Sequence, residues 1–128
     1  MTAMVIPDLN QVNLRRYVIL EHDWNGLHFD LMIQWKGKLK TWRLAEPLQN
    51  GTQDIMALPD HRLEYLTYEG AVSGNRGTVK RVEAGVITLL ENSESLWKIQ
   101  LEGTLSGGMT LMHVHSEVWQ LHWLARSP

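Results

Sequence analysis

The feature that most constrains this chain is the rhythm of its apolar residues. From about residue 15 onward, short runs rich in Val, Ile, Leu, Tyr and Trp are cut by turn-forming pairs every eight to twelve residues, among them Asn25-Gly26, Lys36-Gly37, Asn50-Gly51 and Gly107-Gly108. No segment sustains a 3.6-residue apolar period with helix caps. Period-two alternation sets one face of each run against a core, and tight turns join neighbouring runs antiparallel. A barrel or a sandwich, made from one all-β domain, satisfies both conditions. The 128 residues suffice for one domain, expected over residues 15–126 after a short arm over residues 1–14.

The runs place the strands. The first is expected from Arg15 to about Glu21, the second from Leu27 to Trp35 and the third from Lys38 to Leu44. Ile55-Met56-Ala57-Leu58 reads as a short strand stopped by Pro59, and Asp60 to Tyr65 as a single helical turn or a bend. Gly85 reads as a break between Thr78–Val82 and Val86–Leu90. Three further runs close the chain, from Leu96, Met109 and Val118. Six Trp against one Phe is an unusual aromatic choice, and most of the Trp fall in strand-like runs, which favours core and rim packing over base stacking.

Chemistry concentrates between the first two strands. Glu21-His22-Asp23-Trp24-Asn25-Gly26-Leu27-His28-Phe29-Asp30-Leu31 sets two imidazoles and three carboxylates around a turn. His28 and Asp30, two apart on a strand, project from the same face, and a hairpin would return His22 to them. Two imidazoles and a carboxylate suit a divalent transition metal such as Mn, Fe or Zn. No cysteine is present, which excludes disulfides, thiolate metal sites and a Cys nucleophile, and fits a reducing compartment. No apolar run approaches a membrane span, and Met1 to Asn13 lacks the pattern of a secretory signal, so a cytoplasmic protein without membrane contact is expected. Twelve Lys and Arg against fourteen Asp and Glu give a formal charge of −2, so any grip on nucleic acid must be local.

With these residues on the page the chain resembles a known family, the 3′-phosphoesterase domain of bacterial DNA ligase D. His22-Asp23 followed by Leu27-His28-Phe29-Asp30-Leu31 is similar to its H-D-x3-L-H-[YF]-D-[LF] signature. Gly37-Lys38-Leu39-Lys40-Thr41-Trp42 is similar to its G-x-L-K-S-W, and Asp60-His61-Arg62-Leu63-Glu64-Tyr65 to its D-H-P-L-E-Y. Tyr68-Glu69-Gly70, Gly77-Thr78-Val79 and Trp119-Gln120-Leu121 match later elements, so the likeness runs in order over about residues 15–124. The resemblance implies a compact eight-stranded β-barrel with short helical pieces. It implies a divalent metal, manganese, on His22, His28 and Asp30, with His61 and Tyr65 as catalytic residues at the scissile phosphate. It implies trimming of DNA 3′ ends in a primer–template, removing a terminal ribonucleotide to leave a 3′-phosphate and then that phosphate, alongside ligase or polymerase repair partners in non-homologous end joining. A monomer is expected.

The departures bear on substrate grip. Met32 stands where the family has Arg, and Glu46 where it has Lys; Arg43, Arg62 and Arg76 are the candidate phosphate-binding substitutes. The leading expectation is therefore a stand-alone metal-dependent phosphoesterase with weakened activity. The alternative is a relative that has lost catalysis and binds DNA ends or a repair partner. His28-x-Asp30 with a distant His61 also imitates the facial triad of Fe(II) oxygenases, but those enzymes need a larger jelly roll and a co-substrate site. His113-x-His115 with Glu117 is a second, weaker metal pattern, and His122 has no partner in the sequence.

Overall fold

A computed structural model describes residues 14–126. Nine strands form one antiparallel sheet: β1 (Leu14–Asp23), β2 (Leu27–Trp35), β3 (Lys38–Leu44), β4 (Gly51–His61), β5 (Gly70–Ala71), β6 (Thr78–Asn92), β7 (Leu96–Gly103), β8 (Ser106–His115) and β9 (Val118–Ala125). The order is β1-β2-β3-β4-β9-β8-β7-β6, and β6 pairs back onto β1, which closes an eight-stranded barrel. Closure removes every long unpaired edge. The two-residue β5 is appended outside that ring, on the start of β6. One 3₁₀ turn, Leu63–Leu66, is the helical piece among the described residues.

Several expected boundaries move: β4 begins at Gly51 rather than Ile55, and β8 begins at Ser106 rather than Met109, so Gly107-Gly108 lies within a strand and is not a turn. Pro59 does not end its strand: β4 runs on to His61. The register between β3 and β4 shifts there, Thr41 facing Leu58 while Leu39 faces His61, and a proline lacking an N–H fits an irregularity where the ladder is already broken. Gly85 does not break its strand either: β6 is continuous over 15 residues. Gly85 faces Gly103 of β7 so closely that a Cβ on either would strike the other strand's backbone, and glycine there lets two strands approach.

The barrel interior is filled by the alternate residues Tyr17, Ile19, Phe29, Leu31, Ile33, Trp42, Ile87, Ile99, Leu111, Trp119 and Trp123 with their neighbours. Trp42 packs edge-to-face on Trp97 and Trp119, at 5.4 and 5.5 Å between ring centroids, so these three tryptophans are core residues as their runs suggested. A second apolar cluster lies on the opposite face of the wall: Val18, Leu20, Met32, Leu39, Leu66, Val72 and Val79. It is sealed by the chain between β4 and β6, which carries the 3₁₀ turn and β5 across the outside of β1 to β3. The unbroken run Tyr17-Val18-Ile19-Leu20 is explained by this double coverage, since both faces of β1 are buried there.

Candidate metal centre and its cavity

The site occupies that covered outer face. β1 and β2 pair so that His22 sits directly opposite His28, and Leu20 opposite Asp30. Asn25 and Gly26 take positive φ, 53° and 103°, in the turn that returns the chain. The hairpin and the period-two rule together bring His22, His28 and Asp30 to one spot, their ligand atoms all within 4.8 Å of one another. His28 Nε2 lies 3.0 Å from His22 Nδ1; Asp30 Oδ2 is 3.6 Å from His22 Nδ1, and Oδ1 is 4.0 Å from His28 Nε2.

The donor chemistry fits a cation. His22 Nε2 is 2.8 Å from the Arg76 carbonyl oxygen, which can only accept, so Nε2 carries the proton and Nδ1 turns a lone pair toward His28 and Asp30. Burial lowers the pKa of His28 below 6.5, helped by Arg43 and His22 and opposed by Asp30, a shift that favours the neutral imidazole a metal ligand needs. Two nitrogens sharing one ion at ~2.0–2.1 Å each stand roughly 3 Å apart or slightly more. Asp30 is 2 % exposed and supplies the anionic oxygen.

The rest of the cavity, about 120 Å³, is assembled from the barrel wall and the chain that crosses it. Met32 and Arg43 come from β2 and β3; His61 ends β4; Tyr65 lies on the 3₁₀ turn; Val72 and Arg76 lie between β5 and β6. Arg43 faces Asp30 across the β2–β3 pairing, and its Nε donates to Asp30 Oδ1 at 3.3 Å. His61 Nδ1–H donates to the Pro59 carbonyl at 2.9 Å, leaving Nε2 as the ring atom able to accept or pass a proton, and the ring meets Tyr65 edge-on at 5.8 Å. The Arg76 guanidinium is tied to Ser73, by Nε to the carbonyl at 2.7 Å and by Nη2 to the hydroxyl at 3.2 Å.

The structure thus brings His22, Asp30, Arg43, His61, Tyr65 and Arg76 to one cavity, with His28 completing the cluster. It does not bring in Arg62, whose Nε donates to Glu64 Oε1 at 2.9 Å on the surface outside this cavity. Glu46 is exposed in the loop after β3 and does not border the cavity. Met32 is buried against the outer apolar cluster.

Two contributors escaped the sequence reading. Trp24 stacks on His22 at 5.9 Å between ring centroids and walls the cavity. The Arg76 carbonyl acts through its backbone, and the available signal was Gly77 beside it. Gly77 has φ +74°, and a Cβ there would run into the Asp23 carbonyl oxygen and the Trp24 Cβ, so only glycine lets this loop settle on the β1–β2 turn. The second histidine pattern dissolves. His113 Nε2–H donates to the Ser116 carbonyl at 2.7 Å and its ring packs on Trp119, while His122 shares a hydrogen bond with Thr52. Among the described residues His22, His28 and Asp30 form the one group of three or more able to hold a metal.

Fold and site together define a small closed antiparallel barrel carrying a cation-ready His-His-Asp cluster in a covered pocket on its outer wall. No family model matches the sequence. The chain is 30% identical over 108 residues, 79% of its length, to the multifunctional non-homologous end joining protein LigD of Pseudomonas aeruginosa. It is 37% identical over 68 residues, 50% of its length, to the multifunctional non-homologous end joining DNA repair protein LigD of Mycobacterium tuberculosis. The matches span 13% and 9% of those proteins, so the chain is related to a small segment of each.

Proposed function

We propose that the chain is a metal-dependent 3′-end-processing phosphoesterase, acting on DNA ends that carry a 3′ ribonucleotide or a 3′-phosphate in end-joining repair. The observation that carries this reading is the convergence of His22 Nδ1, His28 Nε2 and an Asp30 carboxylate at the edge of a cavity that His22 and Asp30 share with His61, Arg43 and Arg76. The likeness to LigD supports the repair setting and the resemblance to its phosphoesterase domain supports the activity. His22, His28 and Asp30 hold the cation, for which we propose manganese. When bound it supplies positive charge that polarises a phosphoryl oxygen and a water. Residues 15–126 act as one domain; DNA 3′ ends are its partners, with ligase or polymerase proteins beside it in the cytoplasm, and the chain works as a monomer.

Each remaining residue has a task that its position allows. Arg43 neutralises Asp30 and can turn toward phosphate oxygens, and Arg76 stands across the same space, so the cavity is locally cationic although the chain's formal charge is −2. Cleavage of the diester adds water to phosphorus and breaks the bond to the departing nucleoside's 5′ oxygen. That oxygen takes a proton, and the phosphate stays on the strand's 3′ oxygen. His61 Nε2 is placed to hold that proton, since Nδ1 is committed to Pro59, and Tyr65 holds the imidazole edge-on. Trp24 and Val72 exclude water from the walls.

The test is a primer–template ending in one 3′ ribonucleotide, incubated with and without manganese. Manganese-dependent shortening to a 3′-phosphate and then to a 3′-hydroxyl is expected, together with a manganese-induced rise in Tm that Asp30→Ala abolishes. An equal Tm rise in wild type and Asp30→Ala would remove the metal site. Retained end binding with no cleavage at high enzyme would assign the chain to the alternative class that binds ends without cutting them.

A further inference from the structure

The cavity around Asp30 and His61 does not close at Tyr65. Beyond that ring lies a separate groove of about 300 Å³, walled by Tyr65, Tyr68, Ala71 and Val72 and rimmed by Ser73 and the Arg62–Glu64 ion pair. Tyr65 and Val72 wall both spaces, so the groove adjoins the cavity of the proposed scissile phosphate. His61, Tyr65 and Tyr68 form a continuous edge-to-face ladder from one to the other, at 5.8 and then 5.7 Å between centroids. Tyr68 is the outermost ring and is 37% exposed. It is nonetheless fixed, because its hydroxyl donates to the Ala71 carbonyl while its ring meets Tyr65 at 84°. An exposed aromatic face that is already immobilised loses little freedom when a planar partner lands on it.

We infer that this groove receives the nucleobase of the terminal nucleoside, the one that departs when the 3′ diester is cut, stacked against Tyr68. The inference rests on the 3′-end reading above. The groove's volume is at the lower end of small-ligand pockets, about 300–1,000 Å³, so it admits one ring system and no duplex. The terminal residue of a primer is the base that leaves the stack most cheaply, having a neighbour on one side only. The Tyr68 π-face accepts any base, with Ala71 and Val72 beside it, while Ser73 and the Arg62–Glu64 pair offer polar atoms for its edge. Arg62, which stands outside the metal cavity, thereby gains a place in substrate recognition.

The experiment compares two primer–templates, alike except that the terminal 3′ residue carries a base in one and is abasic in the other. Equilibrium binding is measured without added manganese, so that neither end is consumed. Wild type is expected to bind the base-bearing end about 5- to 150-fold more tightly, the range of base–aromatic stacking. Tyr68→Ala should bring that ratio close to one, and Tyr68→Phe, which keeps the ring, should retain most of it. A wild-type ratio near one, or an undiminished ratio in Tyr68→Ala, overturns the inference, and the wild-type comparison needs no variant to fold. With manganese, Tyr68→Ala should slow diester cleavage more than removal of a 3′-phosphate, which has no departing nucleoside; equal slowing also overturns it. If wild type cleaves neither end, the phosphoesterase reading fails, and the binding ratio still decides the groove.

Discussion

Replacing Gly77 by Ala should weaken metal binding although Gly77 carries no side chain and touches no ligand atom. Its φ of +74° costs a residue with a Cβ ~1–2 kcal/mol. The new methyl also runs into the Asp23 carbonyl and Trp24, so the loop must lift from the β1–β2 turn. Lifting it breaks the 2.8 Å hydrogen bond from His22 to the Arg76 carbonyl, worth ~0.5–1.5 kcal/mol. The sum is ~2–3 kcal/mol, a Tm loss on the order of 10 °C at roughly 4 °C per kcal/mol. Losing the partner that orients a ligating imidazole typically weakens a site by ~10–100-fold. At a fixed, well-saturating manganese concentration that removes ~1.4–2.7 kcal/mol of metal-linked stabilisation. Gly74→Ala is the internal control: its φ of +76° carries similar strain, yet its Cβ would meet only the flexible Arg76 side chain at 3.5 Å. Titrating manganese against Tm, with calorimetric Kd for all three proteins, separates the two effects. If Gly77→Ala binds manganese as tightly as Gly74→Ala, the Arg76 carbonyl does not set the His22 tautomer, and the reasoning is wrong.

Other outcomes follow from the same geometry. His61→Ala should lower diester cleavage by ~10²–10⁴-fold while leaving the manganese-induced Tm rise intact, because His61 is outside the ligand cluster; loss of both would make it a structural residue. Arg43→Ala should impair 3′-phosphate removal more than diester cleavage, since a monoester carries nearly two charges, and equal losses by single-turnover assay would count against a phosphate contact. Inside the barrel, burial and the Glu83 charge push the Tyr17 hydroxyl up from 10.0 to about 12. A raised folded pKa gives stability that is full below pH 10 and is lost as pH rises through about 12, ~3 kcal/mol in all. Glu83→Gln should bring the spectroscopic titration of Tyr17 down toward 10, and an unmoved midpoint would exclude the coupling.

Much of the barrel was legible because period-two alternation and Asn-Gly or Lys-Gly turns are local signals. The hairpin carrying His22, His28 and Asp30 could be read residue by residue, since strand parity and one turn determine it. Pro59 and Gly85 misled because both normally punctuate. In this fold one sits at a register shift and the other at a glycine–glycine crossing, and both compensations lie on neighbouring strands. Parity says that His28 and Asp30 share a face, but not whether that face looks into the barrel. The answer depended on residues 62–77 folding back over the outer wall, a contact distant in sequence. The four-residue apolar run of β1 was the trace it left, because a strand wet on one face would have alternated. Met32 illustrates the limit of motif comparison: it ends up wedged among Val18, Leu20 and Leu39, while Arg43, from the next strand, reaches Asp30 instead.

The covering segment between β4 and β6 has a consequence for how such a protein can change over generations. The His22, His28 and Asp30 cluster belongs to a closed wall whose strands are hydrogen-bonded on both sides, so its spacing is insulated from changes elsewhere. Tyr65, Tyr68, Val72 and Arg76 all come from one short excursion, residues 62–77, whereas His61 ends β4 in the wall. On the function proposed above, drift in that excursion would retune which end is gripped without disturbing the wall, whereas drift in the wall would remove the chemistry. On that reading the wall would carry the chemistry and the excursion the grip on the departing nucleoside, joined where one carbonyl of the excursion holds one imidazole of the wall.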